Sequence, residues 1–224
     1  MGSLYITATP IGNLGDITVR ALEMLKKVSH IACEDTRHSL KMLNHYGITA
    51  RLISCRAQNE EKAAETILEL LKTDDVAYMS DAGTPGISDP GQRLVKIVRK
   101  NGFDVLPLPG VSALTALASV SGFSGKTITF EGFLSIKQGK RKKRLQELLE
   151  REESFIFYES PHRILKIIQD LSDLNPESMV VIGREMTKMF EEYISGTAEN
   201  VLHKLEKHVT LKGEFAVIVA GKTK

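Results

Sequence analysis

Short apolar, β-branched runs alternate with amphipathic stretches through the first half of the chain. The runs have the composition of buried strands, and the stretches between them carry apolar residues at helical spacing. The predicted strands are residues 4–9, 30–35, 51–55, 76–80 and 103–108, and the predicted helices are residues 17–28, 38–46, 60–71 and 92–100. This alternation favours an α/β domain built on a largely parallel sheet. Asp89 is the predicted N-cap of the helix at 92–100, with Pro90 at its first position, and Gly102 is placed to end it.

A second sheet of a different kind is predicted after residue 120. Residues 119–126 are small and flexible, so we place a domain boundary there, between domains 1–120 and 121–224. The predicted strands are residues 127–134, 154–160, 179–185, 190–197 and 214–221, and the predicted helices are about 139–152, 162–174 and 198–208. The strands at 179–185 and 190–197 are too close in sequence for a crossover connection, so the second sheet is predicted to be mixed. The predicted fold class is therefore α/β, with two α/β domains.

Composition limits the class of protein. The chain has 224 residues, of which 42% are hydrophobic and 26% charged, and its net charge is +2. No apolar run approaches the roughly 18 residues that span a bilayer, and no signal peptide opens the chain. Cys33 and Cys55 lack a C-x-x-C neighbour, which favours a reduced compartment. We therefore expect a cytoplasmic protein with no membrane partner.

Signatures of other ligands are incomplete. The two G-K-T sequences, at 125–127 and 221–223, lack the first glycine of a P-loop, and the chain has no G-x-G-x-x-G. The six histidines lack the spacing of metal ligands. We therefore expect neither a nucleoside triphosphate site nor a metal.

The segment SDAGTPGISDPG, residues 80–91, has three glycines, two prolines and no lysine or arginine. It follows a predicted strand and precedes a predicted helix, the place where open α/β sheets bind ligands. Gly83 and Gly86 permit close backbone approach, and the prolines stiffen the loop. Asp81 and Asp89 make it a poor polyphosphate cradle but suit ribose hydroxyls, amino groups or a cationic ligand.

Three more polar loops follow predicted strands. They are TPIGNLGD (9–16), EDTR (34–37) and PGVSALTAL (109–117). If the strands are parallel, all four loops open on one edge of the sheet. Their convergence predicts a binding site there.

These four loops, together with YESPHR (158–163) and GEFAVIVAG (213–221), span nearly the whole chain. As a set they closely resemble the tetrapyrrole methylase family, in particular the branch that methylates a ribose 2′-hydroxyl of a cytidine in the 16S rRNA decoding region. The resemblance implies the cofactor S-adenosylmethionine (SAM) in a cleft between two α/β domains, a homodimer, and 16S rRNA in the 30S subunit as substrate. SAM carries a sulfonium and an ammonium but no phosphate, which suits a loop without lysine.

Matching the motifs residue by residue implies ten cofactor-binding positions. They are Pro10, Ser80, Asp81, Gly83, Thr84, Ser112, Ala113, Tyr158, Glu159 and Ala216. Contacts of the central loop are expected to be largely through its backbone. YES stands where tetrapyrrole-methylating relatives usually show YM, which puts a corrin or porphyrin substrate in doubt.

A positioned base would help a ribose hydroxyl attack a methyl group. Asp35 and Glu185 are the candidate bases, and Arg37, Arg184 or Lys188 could hold phosphate or orient the base. Each of these residues is equally consistent with an ordinary salt bridge.

Six of the eight residues from 137 to 144 are basic. We interpret this segment as an RNA-binding surface, because phosphate contacts gain affinity by counterion release. The candidate RNA-binding residues are Lys140, Arg141, Lys142, Lys143 and Arg144. The alternative is a solvated helix face, although positive charge at the start of a helix opposes its dipole.

The sequence therefore predicts a SAM-dependent rRNA ribose 2′-O-methyltransferase. Two alternatives stay open: a small-molecule methyltransferase acting on a tetrapyrrole, and a SAM-binding or RNA-binding protein without catalysis.

Overall fold

The computed structural model describes residues 1–123, 125–207 and 211–221. The chain divides into two compact units, Met1–Ser112 and Ala113–Lys224. This division falls eight residues before the boundary predicted from composition, because the helix Ala113–Val120 packs against the last strand of the second unit.

The first unit is built on a parallel sheet, as predicted, and its helices pack on both faces of that sheet. Its strands are β1 (Leu4–Thr7), β2 (His30–Cys33), β3 (Arg51–Ser54), β4 (Val76–Met79) and β5 (Val105–Leu108), in the order β3-β2-β4-β1-β5. Its helices are α1 (Val19–Lys27), α2 (Thr36–His45), α3 (Glu60–Leu71) and α4 (Gln92–Lys100), with a short 3-10 turn at Leu14–Asp16. Every strand pair is parallel, so the loops that follow the five strands leave from one edge.

Two apolar clusters cover the two faces of this sheet. Tyr78 belongs to the cluster under α3 and α4, and Met79, the next residue of β4, belongs to the cluster under α1 and α2. The buried thiols of Cys55 and Cys33 are divided in the same way, so the two cysteines lie on opposite faces. Burial raises the pKa of Cys55 to about 12, which keeps its thiol protonated and unreactive.

The ends of α4 differ in how well the sequence predicted them. Gly102 follows the helix at φ 80°, which confirms its predicted role. The prediction of an Asp89 cap with Pro90 in the first turn was wrong: the N-cap is Gly91, at φ 121°. The amides at this end are satisfied by the carboxylate of Glu60, which reaches over from α3.

The second unit has a mixed sheet, which confirms the predicted fold class. Its elements are α5 (Ala113–Val120), β6 (Ile128–Phe133), α6 (Gln138–Glu150), β7 (Ser154–Glu159), α7 (Ile164–Leu174), β8 (Met179–Arg184), β9 (Glu192–Thr197), α8 (Ala198–Glu206) and β10 (Phe215–Val219). The strand order is β6-β7-β10-β8-β9, with β6 and β7 parallel and the other pairs antiparallel. Residue 208, the predicted end of the last helix, and the end of the second G-K-T sequence lie outside the described residues.

Candidate functional site

Hydrogen bonds join three of the four predicted loops at the carboxyl edge of the first sheet. The backbone amides of Thr9 and Gly83 each donate to the other residue's carbonyl oxygen at 2.9 Å, which links the loops after β1 and β4. The hydroxyl of Thr84 donates to the carbonyl oxygen of Val111 at 3.0 Å, which links the loops after β4 and β5. The predicted convergence of these loops is therefore present within the first unit.

Asp81 connects the fourth loop. Its Oδ1 accepts the backbone N–H of Asp35 at 3.1 Å, across the adjacent strands β2 and β4. This carboxylate, predicted as a cofactor contact, thus also braces the EDTR loop.

The central loop approaches its neighbours closely at Gly83. This residue has φ 76°, and a Cβ there would lie 3.3 Å from Cγ2 of Ile11. Ser80 is only 2% exposed and Pro10 is buried, so both side chains are packed inside the first unit and not on the surface of the loops. Ser112, half-buried, ends the first unit.

Carboxylates dominate the electrostatics of this edge. Burial, and then the neighbouring carboxylates of Asp81 and Asp89, raise the pKa of Glu34. No hydrogen bond or ion pair joins the Glu34 carboxylate to another described residue. The Arg56 guanidinium donates to the backbone carbonyl oxygen of Glu34 at 3.2 Å and partly offsets the rise in the pKa of Glu34. Sequence reasoning missed Glu34, although it is the first residue of the EDTR motif and could have been weighed beside Asp35.

Asp35 and Arg37 are brought together, but mainly by a helix cap. Oδ1 of Asp35, the N-cap of α2, accepts the backbone N–H of Arg37 at 2.9 Å, and Oδ2 lies 3.4 Å from the guanidinium. The hydrogen bonds from the Arg37 amide and side chain lower the pKa of Asp35. A carboxylate in this state is a weak proton acceptor at neutral pH.

In the second unit, Tyr158 and Ala216 are direct partners in neighbouring strands β7 and β10. The Tyr158 hydroxyl accepts the backbone N–H of Leu114 at 3.0 Å, in the first turn of α5. Phe130 and Phe133 contact the same ring edge-on, with centroid separations of 5.0 and 6.0 Å. The predicted residue Ala113, which starts α5 and precedes Leu114, is thus held near Tyr158.

Glu159, the next residue of β7, belongs to another environment because successive strand residues point to opposite faces. It is 3% exposed, and its Oε1 accepts the backbone N–H of Ser160 at 2.7 Å. Its Oε2 lies 3.0 Å from the guanidinium of Arg163, which also donates to the carbonyl oxygen of Leu134. The structure therefore does not bring the Glu159 side chain to the face of the sheet on which Tyr158 lies.

Glu185 and Lys188 lie in the turn between β8 and β9. Oε1 of Glu185 accepts from the Lys188 ammonium and from the backbone N–H of Glu214, both at 2.9 Å. Burial favours a higher pKa for Glu185, but these hydrogen bonds outweigh it and lower the pKa. Glu185 has φ 48°, and a Cβ at Gly213 would collide with its side chain. Arg184, just before the turn, is held by Glu192 at 2.9 Å.

The basic segment is less free than its sequence indicates. Arg141 is 5% exposed, and its guanidinium contacts the buried carboxylate of Asp170 at 2.6 Å. Lys142 pairs with Asp173 at 2.8 Å, and Arg144 pairs with Glu131 and Glu147.

Three lysines of this segment remain exposed: Lys137, Lys140 and Lys143. Their ammonium groups make no ion pair with any other residue that the structure describes. Phe133 and Ile136, just before them in the chain, are 59% and 80% exposed. Accessible positive charge thus lies next to exposed apolar side chains in sequence.

Metal centres and membrane-spanning helices are two further classes of feature that bear on function. Those residues contain no group of three or more His, Cys, Asp or Glu side chains placed to hold a metal ion. The helices they form are all too short or too polar to cross a bilayer.

The motifs behind these loops extend over most of the chain. The family of tetrapyrrole (corrin/porphyrin) methylases matches residues 3–202. The chain belongs to the tetrapyrrole methylase family. The resemblance inferred from the loop motifs is therefore confirmed.

Within the tetrapyrrole methylase family, three curated relatives share one name. Ribosomal RNA small subunit methyltransferase I from Borrelia garinii subsp. bavariensis is 45% identical over 219 residues, covering 97% of this chain and 98% of the relative. The protein of the same name from Thermotoga maritima is 44% identical, covering 99% of this chain and 100% of the relative. The one from Haemophilus influenzae is 46% identical, covering 100% of this chain and 80% of the relative.

Solved structures of tetrapyrrole methylases share the fold at low identity. The cobalt precorrin-4 methyltransferase CbiF superposes with a TM-score of 0.72 at 16% identity, covering 97% of this chain and 94% of that chain. The uroporphyrin III C-methyltransferase of Thermus thermophilus gives a TM-score of 0.67 at 17% identity, covering 98% and 97%. At this identity the likeness establishes the fold alone.

Proposed function

We propose that this tetrapyrrole methylase is a SAM-dependent methyltransferase that modifies the ribose 2′-hydroxyl of a cytidine in the decoding region of 16S rRNA. The observation that carries the proposal is the four-loop site at the edge of the first sheet, which lacks cations in its central loop and is rich in carboxylates. The shared name of relatives at 41–46% identity supports rRNA as the substrate class.

The residues of this site fit SAM better than a phosphorylated ligand. Backbone groups surround Gly83, and a Cβ at this position would narrow the space beside them. Asp81, Asp89 and Glu34 supply negative charge without a nearby lysine in the loop. When bound, SAM would supply an electrophilic methyl group and a positive charge that these carboxylates favour. The second unit's share in the proposal is Tyr158, with Ala113 and Ala216 beside it.

The chain's part in catalysis is to position two reactants and to accept a proton. Holding a nucleophile and an electrophile in near-attack geometry supplies much of the acceleration of such a transfer. Asp35 and Glu185 have lowered pKa values, so their part in the proposal is to orient Arg37 and Lys188. Glu34, whose pKa is raised, is the better candidate base, because a base works best with a pKa closer to neutral.

The RNA surface in this proposal consists of the lysine stripe, defined as Lys137, Lys140 and Lys143, rather than the whole basic segment. Unpaired positive charge in the first turns of α6 opposes the helix dipole. A bound phosphate backbone would relieve this unfavourable term and release counterions. The exposed ring of Phe133 offers a surface on which an unpaired base could stack. Arg141 leaves the predicted RNA-binding set because its charge is buried against Asp170.

The proposal is tested by transfer of a labelled methyl group from SAM to 30S subunits that lack native ribose methylation. Free 16S rRNA and a tetrapyrrole precursor are assayed in parallel, and the labelled nucleoside is identified. A 2′-O-methylcytidine from the 30S particle supports the proposal. Label on the macrocycle alone favours the small-molecule alternative, and SAM binding with no transfer to any acceptor favours a binding protein. A separate measurement of the protein's mass in solution tests the expected homodimer.

The lysine stripe has its own test. Changing all three lysines to glutamine should lower RNA affinity about tenfold or more at low salt and reduce the salt slope by about three contacts. SAM affinity should not change. The matched control changes three exposed lysines on helices of the first unit: Lys62, Lys96 and Lys100. Equal losses in both triple variants would show that the effect is one of net charge and not of this surface.

A further inference from the structure

A buried carboxylate lies behind the central loop, outside the set of residues assigned above. Glu60 is the first residue of α3 and is 5% exposed. Its Oε1 accepts the backbone N–H of Gly91 at 2.6 Å and that of Leu94 at 3.4 Å. Gly91 is the last residue of the loop 80–91, and both amides belong to the start of α4. A side chain of one helix thus fixes the point where the loop becomes another helix.

Glu60 has no cation to offset its burial. No lysine, arginine or histidine of the described residues forms an ion pair with it. An ionised carboxylate in the interior is unfavourable unless strong partners replace water. Here the partners are amides at the N-terminus of α4, while Glu60 itself lies at the N-terminus of α3, where negative charge is also favoured. A local cap such as Asp89 could satisfy these amides at the surface, so capping alone does not require this arrangement.

The opposite side of Gly91 is closed by an aromatic ring. Gly91 has φ 121°, and a Cβ there would lie 2.6 Å from Cε1 of Tyr78. Tyr78 is fully buried in β4, two residues before the loop begins at Ser80. Gly91 is therefore close to both the Glu60 carboxylate and the Tyr78 ring. We call these three residues the loop clamp.

The second half of the loop also contacts the start of α4. The side chain of Gln92 donates to the carbonyl oxygen of Gly86 at 2.8 Å, which folds the second half of the loop back onto the start of α4. The first half is joined to its neighbours through Gly83, Thr84 and Asp81. Residues 86–90 thus lie between the Gln92 contact and Gly91, so a displacement of Gly91 would act on this half of the loop.

We propose that Glu60 is a positioning residue for the cofactor: the loop clamp holds residues 86–91 in the conformation that SAM binds. This inference rests on the proposed function, since it requires SAM to bind at the loop. Glu60 acts through the Gly91 and Leu94 amides. A loop released at this end must be ordered again by the ligand, and that ordering weakens binding.

The test compares three variants with the wild type. Glu60→Gln keeps an acceptor oxygen at the same reach, Glu60→Asp keeps the charge but is one methylene shorter, and Glu60→Ala removes the group. SAM dissociation constants are measured by calorimetry, and hydrogen exchange is followed at the Gly91 and Leu94 amides. We expect the Ala and Asp variants, which lose the acceptor or its reach, to bind SAM about tenfold more weakly, because a hydrogen bond to a charged acceptor is worth about a factor of ten. The Gln variant keeps an acceptor oxygen at the same reach, so its SAM affinity should stay within about threefold of wild type.

Asp75→Ala is the matched control, because Asp75 accepts the backbone N–H of Ser3 at 3.0 Å at the opposite edge of the same sheet. Asp75→Ala should lower stability and leave SAM affinity unchanged. Any other substitution that acts only on stability should do the same. The proposal is overturned if the Asp or Ala variant binds SAM within about twofold of wild type. If the Ala variant does not fold, the Asp variant decides the matter. A wild type that binds no SAM would refute the proposed function, whereas exchange at Gly91 and Leu94 would still report whether the clamp exists.

Discussion

The glycine- and aspartate-rich loop of the first unit and the basic segment of the second unit make opposite use of charge. Asp81 in the loop and Glu60 behind it direct their carboxylates to the backbone amides of Asp35 and Gly91, so their partners are main-chain groups rather than side-chain cations. In the basic segment, Arg141 and Arg144 direct their charges to acidic side chains on neighbouring elements. The loop therefore keeps its acidic character beside a prospective ligand, whereas much of the basic charge is neutralised inside the unit.

This difference affects what each region can contribute. The Asp81 and Glu60 carboxylates accept from backbone amides and form no ion pair with a side-chain cation of the described residues, an environment that favours a cationic ligand. Paired guanidinium groups contribute little to a surface potential, so within the basic segment, all of which the structure describes, the lysine stripe remains for a polyanion.

The largest effect on stability is expected from Arg141→Met. Removing the guanidinium leaves the Asp170 carboxylate buried without its main partner, and breaking a buried pair in this way costs about 3–5 kcal/mol. Urea unfolding should show the loss directly. The double variant Arg141→Met with Asp170→Leu should recover most of it, because apolar residues of similar volume replace buried pairs well.

Lys143→Met on the same helix is the control and should be nearly neutral in the same unfolding experiment, because its side chain is exposed. If Arg141→Met instead keeps full stability and weakens RNA binding, Arg141 belongs to the RNA surface, and its pair with Asp170 does not have the structural role described above.

A smaller loss, about 2–3 kcal/mol, is expected from Gly91→Ala, since the new methyl group would enter the Tyr78 ring and L-residues disfavour φ 121°. The control is Gly102→Ala at the other end of α4, which also has positive φ but open space around it, so it should cost only about 1 kcal/mol. Thermal unfolding of the two variants separates crowding from backbone strain. Equal losses would mean that the contact with Tyr78 is unimportant.

These contrasts also explain what the sequence could predict. The alternation of apolar runs predicted all ten strands to within about two residues, because periodicity is local. The four-loop edge followed from parallel topology. The fate of Arg141 could not be predicted, since Asp170 lies on another helix and the pairing depends on packing. Glu60 was missed for the same reason: within its own helix it is an ordinary first-turn glutamate.

Tyr158→Phe tests whether a residue assigned to the cofactor pocket also serves the fold. The change keeps the ring contacts with Phe130 and Phe133 but removes the acceptor for the Leu114 amide. We expect stability to fall by about 1 kcal/mol, the usual worth of one such hydrogen bond, and hydrogen exchange at Leu114 to accelerate. Tyr193→Phe, which loses only an exposed bond to Glu191, is the control. Unchanged exchange at Leu114 would contradict the assignment.

The smallest effect is expected from the pH dependence of the turn after β8. The pKa of Glu185 is lowered in the folded protein, so its contribution is fully present above its ordinary value of 4.5 and is lost as the pH falls through the folded value. Glu185→Gln should therefore be less stable than wild type at neutral pH, by less than about 1 kcal/mol for a partly exposed pair. The difference should close in acid.

Lys188 makes the opposite contribution, which separates the pair from a general effect of charge. Burial favours a lower pKa for its ammonium, but the Glu185 and Glu214 carboxylates raise it, so its stabilising contribution is lost only as the pH rises through the raised value. The gap between wild type and Glu185→Gln should thus stay constant through neutral pH and narrow only below about pH 4.5. Glu177→Gln, which removes an exposed carboxylate, should show no such narrowing. A gap for Glu185→Gln that does not change with pH would mean that the charge of Glu185, and hence its ion pair with Lys188, does not stabilise the turn.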